Sequence, residues 1–152
     1  MNEDRYLEIK NDPDYTVFRF VSEGRYGKLT KIVRFDKLNR RNNTFNLALG
    51  TLLNHGEVDF TSITNNGDRN KILATVAKII YTVTEKYPDM DIYVTGSDSR
   101  RTLLYQRAII YAYNELTETF NIYGVSTNDE MTDYEPFDRS KNYSGFLIER
   151  KF

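Results

Sequence analysis

Cysteine and tryptophan are missing from this 152-residue chain, histidine occurs once, and there are only three prolines. Without cysteine, disulfides and thiolate metal sites are excluded. With a single histidine, a multi-histidine metal centre is excluded too. His55 stands beside Gly56 in the turn-forming LNHGE and reads as an exposed turn residue. No apolar run approaches the length of a membrane span, and the opening MNEDRYLEIK is acidic and polar, unlike a signal peptide. A cytoplasmic protein with no membrane partner is therefore expected. No Walker loop or GxGxxG is present, and no cofactor is expected.

What is there suits a globular protein: 39% hydrophobic and 28% charged residues, enough for one domain over residues 1–152. Net charge is close to zero, at −1, but it is unevenly spread. Residues 25–41 hold seven basic side chains (Arg25, Lys28, Lys31, Arg34, Lys37, Arg40, Arg41) against Asp36 alone. Such asymmetry marks either a surface for anionic partners or a solvated hairpin whose aliphatic stems cover apolar neighbours.

That segment, KLTKIVRFDKLNR (28–40), repeats in threes, a period of neither strand nor helix. As a helix its apolar residues would spread around the circumference. As a strand from 28 to 35, Leu29, Lys31, Val33 and Phe35 share one face, and Lys28, Thr30, Ile32 and Arg34 the other. The β-branched Thr30, Ile32 and Val33 favour the strand.

Strands are also expected at 15–21 (YTVFRFV), 44–53 (TFNLALGTLL) and 58–64 (VDFTSIT), an antiparallel meander with short turns. Ile72, Val76, Ile79 and Val83 then recur at helical spacing, with Asp68 as a plausible N-cap and Pro88 beyond the end. A strand at 91–97, a second helix from Asp98 to 120, and strands at 120–125 and 143–152 complete the chain. The expected fold class is α+β: about four meander strands, then β-α-β-α-β and a closing strand, with two main helices on one sheet. Residues 1–13 read as a loose N-terminal arm, and 126–142 as a long acidic loop.

Two strand-to-helix turns invite a ligand. NNGD leads into the first helix and TGSDSRR into the second. Helix N-termini offer unpaired N–H groups and partial positive charge, which suit phosphate or carboxylate. Arg69, Arg100 and Arg101 oppose the macrodipole where they stand, and an anion would explain them. Ser97 and Ser99 add hydroxyls, and Gly96 would let a ligand approach the backbone. The candidate anion site is thus Arg69, Gly96, Ser97, Ser99, Arg100 and Arg101, flanked by a basic surface of Lys28, Arg34 and Arg40. The competing reading is that a serine caps the second helix and the arginines pair with Asp98 or the acidic loop. Asp68, Asp98 and Tyr105 are the candidate acid–base groups, but no catalytic constellation is recognisable.

The same residues carry a resemblance. The NGD turn Asn66, Gly67, Asp68 before the ATV helix (Ala74, Thr75, Val76), and Gly96, Ser97 before Arg101, Leu104 and Tyr105, are similar to a family of small bacterial proteins catalogued only as a domain of unknown function. The likeness covers nearly the whole chain and implies a bacterial cytosolic protein, with no activity to carry over. A looser likeness to domains of phage and mobile-element polyproteins implies a mobile-element, phage-defence or toxin–antitoxin context. Two partner classes follow: nucleic acid or another phosphate-bearing ligand, and a protein partner or second copy binding through the acidic loop and tyrosines.

Overall fold

The computed structural model describes residues 4–38, 42–61, 66–127 and 132–151. The architecture is α+β, with nine strands and three helices among the described residues. None of these helices is long and apolar enough to cross a membrane. The chain falls into two compact units, Met1–Asp36 with Leu47–Val83, and Lys37–Asn46 with Thr84–Phe152.

The first unit holds β1 (Lys10–Asn11), β2 (Val17–Gly24), most of β3 (Gly27–Lys37), most of β4 (Thr44–Leu52), β5 (Val58–Asp59) and most of α1 (Arg69–Lys86). Strand order is β1-β2-β3-β4, with β5 on β4. The triplet segment is a strand, as alternation requires. The β2–β3 register sets Phe18 opposite Val33 and Phe20 opposite Lys31. Phe18, Phe20, Val33 and Phe35 are buried; on the other face Arg19, Val21 and Arg34 are exposed, and Ile32 between them is covered. Each buried phenylalanine contributes about 1.5–3 kcal/mol, so this row and the α1 stripe of Ile72, Val76, Ile79 and Val83 hold the unit together. Alternation carries Lys31 inward as well. It is 5% exposed, and its Nζ donates to Thr51 Oγ1 at 2.7 Å.

Two expectations are corrected here. Within the expected loose arm, residues 4–11 are tied down. Tyr6 N donates to Thr75 Oγ1 at 2.9 Å, its ring stacks on Phe20, the Lys71 ammonium lies 4.4 Å from its centroid, and β1 pairs with β2. One amphipathic tyrosine suffices, because its ring can be buried while its polar ends find partners. The expected strand 58–64 shortens to β5: the Asp59 carboxylate accepts from Thr61 N and Oγ1, an Asx turn that ends the ladder. Residues 62–64 lie outside the described residues.

In the second unit β6 (Asp91–Val94), β7 (Phe120–Thr127), β8 (Thr132–Pro136) and β9 (Gly145–Arg150) lie in the order β6-β9-β7-β8, antiparallel at each of these junctions. Ile92, Val94, Phe120, Ile122, Phe146 and Ile148 form the buried face. The expected second helix is divided into α2 (Ser99–Tyr111) and α3 (Tyr113–Thr119) at Ala112, whose φ −100°, ψ 13° leaves the helical region. No proline or glycine signals that break. The acidic stretch 126–142 is not all loop. β8 pairs with β7 from Thr127–Thr132 to Tyr123–Pro136, and Phe137 packs on Tyr143 and Phe146. The β7–β8 ladder, the edge-on contact of Tyr134 with Tyr123 and the packing of Phe137 offset the repulsion among the acids.

Candidate functional site

The NGD turn is the best-connected point of the first unit. Gly67, at φ +85°, takes a backbone conformation that L side chains resist. This reversal sends Asn66 inward, where it is 2% exposed, and lets Arg69 open the helix. Asn66 binds three successive residues of the β2–β3 tip. Its carbonyl oxygen accepts from Arg25 N at 3.0 Å, its Oδ1 from Tyr26 N at 2.6 Å, and its Nδ2 donates to Gly27 O at 3.1 Å. Nδ2 also donates to Ser22 Oγ. Gly24 is obligatory for this approach: a Cβ there would lie 1.9 Å from the Asn66 carbonyl oxygen.

The Ser22 hydroxyl donates a hydrogen bond to Asp68 Oδ2 at 2.6 Å, and the Tyr6 hydroxyl donates to the same oxygen. Burial, then the hydrogen bond to Asp68, raises the Tyr6 hydroxyl above the ordinary phenol pKa. Among the described residues, Asp68 Oδ1 is buried without a hydrogen-bond partner. Ser22 is fully buried and held between Asn66 and Asp68, so this chain of groups braces the tip and does not present a nucleophile. Beside it, Asp4 and Gly67–Lys71 line a surface depression of about 470 Å³.

What the brace presents to solvent is Arg25, Tyr26 and Lys28. Tyr26 is 64% exposed. Arg25 and Arg69 make no ion pair among the described residues, and Lys28 meets Glu23 only at 3.9 Å. Arg34, also expected to flank the site, does not join this group. Arg34 is engaged by Asp36 at 2.8 Å and by the Phe60 ring 4.5 Å away, and Arg40 lies outside the described residues.

The second candidate turn belongs to the other unit, so Arg69 and the 96–101 set are treated separately. There the helix start is already served. Asp98 is the N-cap, with an extended backbone, and its Oδ1 accepts from Arg101 N at 2.8 Å. The cap is therefore Asp98, with Ser97 and Ser99 on either side of it and exposed. Gly96 is needed by the chain itself, since a Cβ would sit 2.5 Å from Thr102 N. The gap it leaves is filled by the helix start, where Thr102 Oγ1 accepts from Gly96 N. Arg100 is exposed. Arg101 lies against Tyr105, whose hydroxyl pKa is raised by burial and partly drawn back by that guanidinium.

Reading the sequence located both turns but not the reach of Asn66 back to Tyr26, forty residues earlier. The only local signal was the G-R-Y-G tip, which supplies turn residues without naming what braces them. Among the described residues no three His, Asp or Glu side chains are grouped to hold a metal ion.

One family model matches residues 2–151, and it describes a family of unknown function. No curated protein and no solved structure matches the chain.

Proposed function

The chain belongs to DUF6934, a family of unknown function, and on that footing we propose that it is a phosphate-recognising module that binds single-stranded nucleic acid at the β2–β3 tip of its first unit. One observation carries the reading. A mostly exposed tyrosine, flanked by Arg25 and Lys28, stands on a hairpin tip whose backbone is braced at Arg25, Tyr26 and Gly27 by one buried asparagine, three residues before Arg69. An exposed aromatic ring leaves water when a base stacks on it, and pre-ordering lowers the entropy cost of binding. The neighbouring cations then neutralise phosphates, releasing counterions. The second helix start is a weaker candidate, because the Asp98 carboxylate already takes the Arg101 N–H and places a negative charge where an anion would sit.

Fluorescence anisotropy of short labelled RNA and DNA strands, titrated at several salt concentrations, tests this. Tyr26→Ala is expected to weaken binding by about 1–3 kcal/mol, roughly 5–150-fold. Arg25→Gln, Lys28→Gln and Arg69→Gln together are expected to flatten the log–log salt dependence by about 0.7 for each phosphate no longer neutralised. Arg100→Ala with Arg101→Ala should leave affinity unchanged. No binding even at low salt, or weakening confined to the Arg100 and Arg101 variant, would sink the assignment to the hairpin tip.

A further inference from the structure

The second unit has a sheet face that its own register makes unusual. One side of β6, β9 and β7 carries Ile92, Ile148 and Ile122. The other side carries rows of partly exposed side chains. One residue beyond the Ile92–Ile148 pair, Asp91 stands across from Glu149, which is itself paired with Asn121. The next row runs Tyr93, Leu147, Tyr123. Tyr134, opposite Val125 on β8 and 66% exposed, meets the Tyr123 ring edge-on at 5.5 Å. Tyr93 reaches over Gly145, where a Cβ would come within 2.5 Å of its hydroxyl.

Of the two carboxylates only Glu149 is held in place, and no cation among the described residues balances either. Glu149 Oε1 accepts from Asn121 Nδ2 and from the Tyr123 hydroxyl, each at 3.1 Å, while its other oxygen takes no hydrogen bond among the described residues. Asp91 forms neither an ion pair nor a side-chain hydrogen bond among them. Arg150, the nearest basic residue in sequence, turns to the opposite face, toward Phe120 and Thr84. Like charges directly opposite one another on a sheet are destabilising, and here no lysine or arginine among the described residues offsets the pair.

We propose that this face is a docking surface for an arginine-bearing segment of a partner protein. A guanidinium is planar, so it can lie on Tyr123, which already touches Glu149, while its fork of donors reaches Asp91 and the free oxygen of Glu149; the Tyr134 ring is open to a neighbouring side chain of the same segment. A phosphate backbone would meet two carboxylates and be repelled. Among the described residues no three acidic or imidazole side chains are grouped here to hold a divalent ion. The groups facing Asp91 are Glu149 from β9 and Asp89 from the preceding turn. Burial, then these two charges, raises its carboxyl above the ordinary range.

The strain shows in stability. An acid whose pKa is higher in the folded than in the unfolded chain loses stability as pH rises from the unfolded value through the folded one. Asp91→Asn is therefore expected to raise the melting temperature at neutral pH and to leave it unchanged near pH 3, where the carboxyl is already protonated in both states. An equal change at both pH values would mean the carboxylate carries no such strain.

Binding is tested with a synthetic peptide alternating arginine and glycine, and a lysine counterpart of equal charge, by backbone-amide NMR titration of the full chain. Saturable shifts confined to Asp91, Tyr93, Tyr123, Tyr134 and Glu149 are expected, with the arginine peptide binding more tightly. The Asp91→Asn, Glu149→Gln double variant should lose about tenfold or more in affinity. Glu57→Gln, an exposed acid in the other unit, should lose nothing. Equal affinity for both peptides, an unaffected double variant, or shifts of these amides by single-stranded RNA instead would overturn the proposal. None of these variants touches Arg25, Tyr26, Lys28 or Arg69, so failure here and failure of the nucleic-acid reading are separately visible.

Discussion

Asn66→Ala is expected to cost the first unit about 3 kcal/mol or more and to lower its melting temperature by about 6–12 °C. The side chain is 2% exposed and makes three hydrogen bonds, to Tyr26 N, Gly27 O and Ser22 Oγ. Truncation leaves their polar partners to lose their bonds together, and a buried donor or acceptor without a partner costs about 1–3 kcal/mol. The Arg25 N bond to the Asn66 carbonyl survives, so the tip should loosen without detaching. Amide exchange at Tyr26 and Gly27 should therefore accelerate by more than the global loss of stability explains. If nucleic acid binds at the tip, Asn66→Ala should weaken that binding although every group that touches the strand is still present. Unchanged exchange at Tyr26 and a melting temperature within a degree of the native chain would show that the brace is redundant.

Gly124→Ala should be comparably severe in the second unit, about 3 kcal/mol, at the upper end for overpacking a well-filled core. A methyl at this position would lie 2.2 Å from two ring carbons of Tyr143. That ring cannot swing aside freely. It is buried, packs on Phe137 and Phe146, and its hydroxyl accepts from Asp138 N at 3.0 Å. Shrinking it should remove the clash. In a Gly124→Ala, Tyr143→Leu chain the two costs should fall short of their sum by about 1 kcal/mol or more. Strict additivity in denaturant titrations would place the strain elsewhere.

The motif residues look different once both turns are seen in place. Asn66 braces the hairpin, Thr75 holds the Tyr6 amide, Gly96 makes room for its own helix, and Asp98 caps it. The stretch that first drew attention as a ligand cradle at α2 is largely occupied in holding the fold together. The exposed groups at the other turn, Arg25 and Tyr26, carry no signature of their own. Their availability follows from a partner forty residues away.

The basic triplet divides in the same manner. Alternation alone placed Lys31 with Leu29, Val33 and Phe35, and the strand's inward face bears that out. Thr51, which receives its ammonium, lies on β4 and could not be named from local pattern. Arg34 was expected beside an anion, yet it is spent on Asp36 and the Phe60 ring.

By itself, the amino-acid sequence determined the α+β class, the alternation of β2 and β3 and the buried stripe of α1, because each depends on side chains a few residues apart. Tertiary structure alone decided the strand order β6-β9-β7, the break at Ala112, the securing of Tyr6, and the facing of Asp91 by Glu149. Those depend on which surfaces meet once water is excluded. The energies of such meetings belong to pairs far apart in the chain, which no local period records.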